Sequence, residues 1–103
     1  MNRRSVFLHE AALSDLEEGK AFYEGLETGV GSYFRDSLIA DLESLKFFAG
    51  IHAKHFGFYR MLAKRFPFAI YYDITDTEVT VYAVLDMRRE PSWNRENLSK
   101  RHQ

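Results

Sequence analysis

The sequence contains no cysteine, so it has neither a disulfide framework nor a thiolate metal site, and its stability has to come from packing. Such a chain suits a reducing cytoplasm. Prolines number two and glycines six. That is too few for a linker-rich chain, and no glycine falls in a GxGxxG or GxxxxGK spacing, so no phosphate cradle is expected. No apolar run approaches the ~20 residues of a membrane span, and residues 1–8 lack the long apolar stretch of a secretion signal. A soluble, intracellular protein is expected. Of His9, His52, His55 and His102, only His52 and His55 are near neighbours. They have no convergent third ligand, so no metal and no cofactor are expected. A Ser-His-Asp set could be composed in many ways and carries no information.

What is present belongs to a globule. Hydrophobic residues make up 46% of the 103 residues and aromatics 16%, enough for one core and, at this length, for one domain over residues 1–103. The net charge of -1 hides an asymmetry. Residues 1–50 hold 5 Lys or Arg against 9 Asp or Glu, and residues 51–103 hold 9 against 6. The second half is the half suited to an acidic partner, although long charged side chains that merely solvate a face give the same count.

Ser5–Leu8 is a short β-prone run. From Glu10 to Leu26, Ala12, Leu16, Gly19, Tyr23 and Leu26 recur on one face of a helix, with Asp15, Glu17, Glu18 and Glu24 on a wet acidic back. The glycines of Glu27-Thr28-Gly29-Val30-Gly31 predict a stop and a tight connection. A second helix is predicted over residues 32–48 from Phe34, Leu38, Leu42, Leu45 and Phe48, packed on the first as an antiparallel hairpin. Gly50 closes it, and residues 51–57 read as a loop.

Beyond Gly57 the period becomes two, giving strands over residues 59–63, 68–74 and 78–85, with Thr75-Asp76-Thr77 as a hairpin turn. Pro67 marks the first position of the middle strand or the turn before it. In the last strand Val79, Val81, Ala83 and Leu85 alternate with Thr80, Tyr82 and Val84, one face meeting the helices and the other partly open. Residues 96–103 are polar enough to fray or to form one short helix. The fold class is α+β. An N-terminal strand, an antiparallel two-helix hairpin and a three-stranded antiparallel meander make a four-stranded sheet with the helices packed on it, the first strand beside the last ones.

One set of residues is distributed along nearly the whole chain: Ala12-x-x-Asp15-Leu16, Phe22-Tyr23, Gly31-x-x-Phe34, Arg60, Arg65-Phe66-Pro67-Phe68, Tyr72, and Arg88-Arg89-x-Pro91-x-Trp93. In order and spacing this set resembles the ParE/RelE toxins of type II toxin-antitoxin systems, whose fold is the one that the periodicity gives. The resemblance implies a growth inhibitor held silent by a cognate antitoxin, which would cover the apolar groove between helix hairpin and sheet.

The RNA-cleaving members of that superfamily use several basic side chains spread over the strands, an arginine after the last strand and a C-terminal tyrosine or histidine, without metal. Such a set would stabilise a phosphorane-like transition state and move the 2'-hydroxyl proton. Here Arg60 would take the first basic position and Arg88 or Arg89 the last, which makes Arg60 and Arg88 the catalytic pair if the chain is an endoribonuclease. Leu62 and Ala69 stand where further cations are needed, and Trp93 cannot act as an acid or base. The resemblance therefore implies the ParE-like branch, inhibitors of DNA gyrase, with no sequence-specific DNA binding by the toxin alone. Alternatives are a ribosome-dependent mRNA endoribonuclease and an inactive toxin fold that only binds a partner. Arg60, Arg88, Arg89, Trp93 and Arg95 are the candidate target-binding residues. Against this, Arg60 could pair with an acid such as Glu43, and Trp93 could be buried while the arginines pair with Asp86 or Glu90, docking the C-terminus.

Overall fold

The computed structural model describes residues 3–101. Along the chain run β1 (Ser5–Leu8), α1 (Glu10–Leu26), α2 (Val30–Phe48), β2 (Lys54–His55), β3 (Phe58–Leu62), β4 (Phe68–Ile74), β5 (Glu78–Asp86) and α3 (Pro91–Arg101). The sheet order is β1-β5-β4-β3-β2, with β1 parallel to β5 and every other pair antiparallel. The α+β architecture is as expected, with one strand more than the four anticipated. The addition, β2, is two residues long and pairs Lys54 with Tyr59 and His55 with Phe58. It forms inside the expected loop because Phe56 and Gly57, at φ 56 and 88, turn the chain back tightly.

His9 caps α1, its Nδ1 accepting from the Ala11 N–H. The hairpin connection is short because Gly29 takes a left-handed φ of 93. Glu24 of α1 then accepts the N–H groups of Gly29 and Gly31, supplying from the neighbouring helix the cap that α2 lacks. α2 starts at Val30, two residues earlier than the sequence pattern starts it, and includes Gly31, where a Cβ would sit 2.7 Å from the Lys20 carbonyl oxygen. At Gly19 a Cβ would stand 2.6 Å from the Phe34 ring. Both glycines set how closely the helices approach.

The hairpin covers one face of the sheet. Tyr23, Phe34 and Phe68 pack there with Phe66, ring centroids about 5 Å apart, and Ile70, Tyr72, Val79 and Val81 continue the core. The phase expected of β5 fails at Tyr82. Tyr72 pairs with Val81 but Tyr71 with Ala83, so Tyr82 is an extra residue, a β-bulge. Beyond it the faces exchange. Val84 joins the helix-side core, while Ala83 and Leu85 turn to the far side. There they meet Phe58, Ala69, Tyr71 and Leu98 under α3. The far face is therefore covered in part by a real third helix, which starts at Pro91. Proline is well suited to a first helical position, where no N–H is needed.

Candidate functional site

The edge of β5 brings α1, β5 and α3 together. β1 ends at Leu8, opposite Val81, and the His9 N–H closes that ladder on the Val81 carbonyl at 2.8 Å. Past this point side chains take over. Asp15 accepts the Val84 N–H at 2.9 Å and the Arg101 guanidinium through both oxygens, while Arg101 also reaches the Tyr82 carbonyl. Asp15 is only 8% exposed, which corrects its placement on a wet acidic back. Arg101, on the far-side helix, hooks over the sheet edge onto α1.

A groove of about 490 Å³ opens beside this clasp, between α1 and the segment that joins β5 to α3. Glu18 and Phe22 line one bank, Arg88, Arg89 and Trp93 the other, and Phe68 lies at the floor. Arg88 makes a bidentate pair with Asp86, Nε to Oδ1 at 2.9 Å and the second nitrogen to Oδ2 at 2.7 Å. The Arg88 N–H adds a third bond at 2.9 Å. The guanidinium hydrogen bonds hold the Asp86 carboxyl below the usual carboxylate range. Arg88 also lies 5.6 Å from the Phe22 ring centre and donates to the Tyr23 hydroxyl.

Arg89 differs. Its guanidinium lies 4.0 Å above the Trp93 ring centre and has no hydrogen bond or ion pair among the described residues, although its charge also helps to hold the Asp86 carboxyl low. Trp93 is 37% exposed, so the expected alternative of a buried tryptophan does not hold. The expected arginine-to-acid pairing holds for Arg88 alone.

Arg88, Arg89 and Trp93 thus share one groove, and the two other candidates do not. Arg95 points from α3 towards the Phe56 ring, 5.4 Å away. Arg60 sits opposite Tyr71, on the face that carries α3, while Arg88 leans on α1 across the sheet. The Arg60 side chain has no ion pair among the described residues, and Glu43 pairs with Lys46 instead. Leu62 is 55% exposed and Ala69 is buried. Sequence reasoning missed Asp15, Glu18 and Phe22 as neighbours of the arginines. Phe22 beside Tyr23 was the available signal, an aromatic just off the apolar stripe of α1.

A second groove, of about 440 Å³, runs along the outside of the hairpin beside β1. Leu8, Leu13, Ile39 and Leu42 line it, with Lys20 and Arg35 among its charged residues. Among the described residues no group of three His, Cys, Asp or Glu could hold a metal ion, and no helix is long and apolar enough to cross a membrane. His102 lies outside the described residues.

A two-helix hairpin on one face of a mixed sheet, its first strand parallel to its last, defines a small α+β domain of the ParE-like fold. A chain in the solved structure of the chromosomal ParDE TA system from P. aeruginosa shares it. The two superpose with a TM-score of 0.72 over 80% of this chain and 94% of that chain, at 16% sequence identity. At that identity the likeness is one of fold. No family model and no curated protein matches the sequence.

Proposed function

We propose that this chain is the toxin of a toxin-antitoxin pair, a growth inhibitor of the cytoplasm that acts by binding a protein target, DNA gyrase, and is silenced by a cognate antitoxin. The observation that carries the toxin reading is the shared fold with a chain of the ParDE system over nearly that chain's full length. Binding is favoured over RNA cleavage by the placement of the cations. Arg60 and Arg88, the pair an endoribonuclease would need, lie on opposite faces of the sheet. At the two further positions that would need cations stand an exposed Leu62 and a buried Ala69. Electrostatic catalysis requires donors converged on one reacting phosphate.

In this proposal the target meets the Arg88, Arg89 and Trp93 bank, with Arg95 and Arg60 as outlying contacts. Guanidinium and indole groups are enriched among interface anchors. The antitoxin occupies the hairpin groove, where Leu13 stands half exposed between charges of both signs, Lys20 and Arg35 with Glu17 and Glu43, a lining suited to an amphipathic segment.

The test is induced expression in growing bacteria, with and without the product of the adjacent reading frame. Growth arrest relieved by co-expression, a complex on size exclusion and inhibition of gyrase supercoiling by the purified chain are the expected results. Codon-specific mRNA cuts on translating ribosomes, lost in Arg60→Ala, would replace the gyrase assignment by the endoribonuclease. A chain that arrests no growth and binds no neighbouring product sinks the toxin assignment itself.

A further inference from the structure

β1 is the outermost strand of the sheet, paired with β5 on one side and, among the described residues, with no strand on the other. The Ser5 and His9 N–H groups bond to the Thr77 and Val81 carbonyls, on the β5 side. Alternation therefore turns the N–H and C=O of Val6 and Leu8 to the open side. Neither residue is sealed off, since both are partly exposed and the hairpin groove opens over their side chains. The open stretch is bounded at both ends. Before it the Lys46 carbonyl of α2 takes the Arg4 N–H, and after it the chain enters α1 at Glu10. Between them, Ser5-Val6-Phe7-Leu8 carries no charge and no proline, the residues that commonly blunt an edge. Val6 and Leu8 pack on the helix-side core, so Phe7 stands on the opposite face, 51% exposed.

The ends of this strand carry opposite signs. Arg3 and Arg4 precede it, with Arg4 bonded to the Thr75 and Ala49 carbonyls, and Glu10 follows it. None of the three has an ion pair among the described residues. The groove alongside holds Glu17 and Glu43 with Lys20, Arg35 and Lys46, so it selects no single sign.

We infer that this edge docks a second copy of the chain, β1 against β1, antiparallel about a two-fold axis at Phe7. One register fits. With Val6 opposite Leu8 of the second copy, each residue exchanges both backbone bonds with its opposite, and every open group on the two edges is paired. Sliding the strands to the next in-phase register sets an open residue against Arg4, whose N–H is already taken, or against Glu10, which is helical. The fitting register lays the two Phe7 rings side by side across the axis, in the closer, non-hydrogen-bonded kind of pair. It also brings Arg4 of each copy to Glu10 of the other. A two-fold contact must be complementary to itself, and a strand positive at one end and negative at the other meets that condition when antiparallel. The contact is small, so association is weak, in about the micromolar range. The inference does not depend on the toxin proposal.

The test follows the whole chain through a dilution series by sedimentation velocity and amide hydrogen exchange. A monomer–dimer equilibrium is expected, in which the Val6 and Leu8 amides gain protection on association while the Phe7 amide, already turned to β5, is protected throughout. Phe7→Lys, which opposes like charges across the axis, should leave a monomer with unchanged far-ultraviolet circular dichroism. Arg3→Glu and Glu10→Lys should each dimerise about tenfold more weakly. An equimolar mixture of those two variants should recover the affinity of the unaltered chain, because opposite charges then meet at both ends, and this arm decides the matter even if Phe7→Lys misfolds. A chain monomeric up to about 1 mM, or a dimer whose Val6 and Leu8 amides stay unprotected, overturns the inference. A mixture no tighter than its components rules out the antiparallel register and the inference with it. Growth arrest by a chain that stays monomeric would sink the dimer and keep the toxin proposal.

Discussion

Arg101 closes on Asp15 across the rim of the sheet, joining the last turn of α3 to the second turn of α1 through a carboxylate that also holds the Val84 N–H. The side chains are 15% and 8% exposed, so each would be poorly solvated alone. Asp15→Ala should cost about 3 kcal/mol or more, because it strands a half-buried guanidinium and a strand N–H together. In a double-mutant cycle Arg101→Ala should add little to it. Additive losses in urea unfolding would show that the clasp contributes nothing as a pair.

Gly19→Ala forces a methyl group against the Phe34 ring. Overpacking of this kind costs about 1–3 kcal/mol. Phe34→Leu creates room at the same spot, so the double variant should lose less than the sum of the two single variants, as read from thermal midpoints.

Burial lowers the pKa of His52 from its ordinary 6.5, and its Nδ1 shares a hydrogen bond with the Tyr72 hydroxyl, which also accepts the Gly50 N–H. The native state therefore keeps His52 neutral where the unfolded chain takes up a proton. Stability should be full above the unfolded value and fall as pH drops through it towards the lower native value. The thermal midpoint should decline as pH falls below the ordinary value of 6.5, and His52→Gln should flatten that slope. An unchanged slope in the variant would assign the decline to other groups.

Arg89→Ala removes a guanidinium that no described acid holds. The thermal midpoint and affinity for the antitoxin should stay as they are, while growth inhibition falls. Trp93→Ala, at a partly exposed position, should leave a folded domain, with a loss no larger than about 1–2 kcal/mol. Unfolding of Trp93→Ala would return this residue to a docking role. Full toxicity of both Arg88→Ala and Arg89→Ala would move the target surface elsewhere.

Much of the architecture was legible because it rests on local periodicity. Leu38, Leu42 and Leu45 fix the buried face of α2 without reference to anything distant, and Val79 and Val81 do the same for the start of β5. What stayed hidden depends on residues far apart in sequence. Nothing near Asp15 announces Arg101, and nothing within β5 announces that Tyr82 is surplus, since the bulge exists only relative to the register of β4. β2 is too short to carry a period. The candidate site divides in the same way. Arg88, Arg89 and Trp93 are close neighbours in sequence and do meet in one groove, whereas Arg60, assigned by resemblance, lies across the sheet from Arg88.

The parallel pairing of β1 with β5 joins Ser5 to Glu78 and Leu8 to Val81, the first strand to the last. Contacts so distant in sequence are slow to form, because a long loop must close before they contribute. On a ribosome the order of events follows from this. The helix hairpin can assemble early, but β1 has no partner until β5 has emerged, and the Arg89 and Trp93 bank, with the Arg101 latch behind it, emerges after that. A nascent chain therefore displays the helix walls of the hairpin groove before β1 completes that groove and before the arginine groove exists at all.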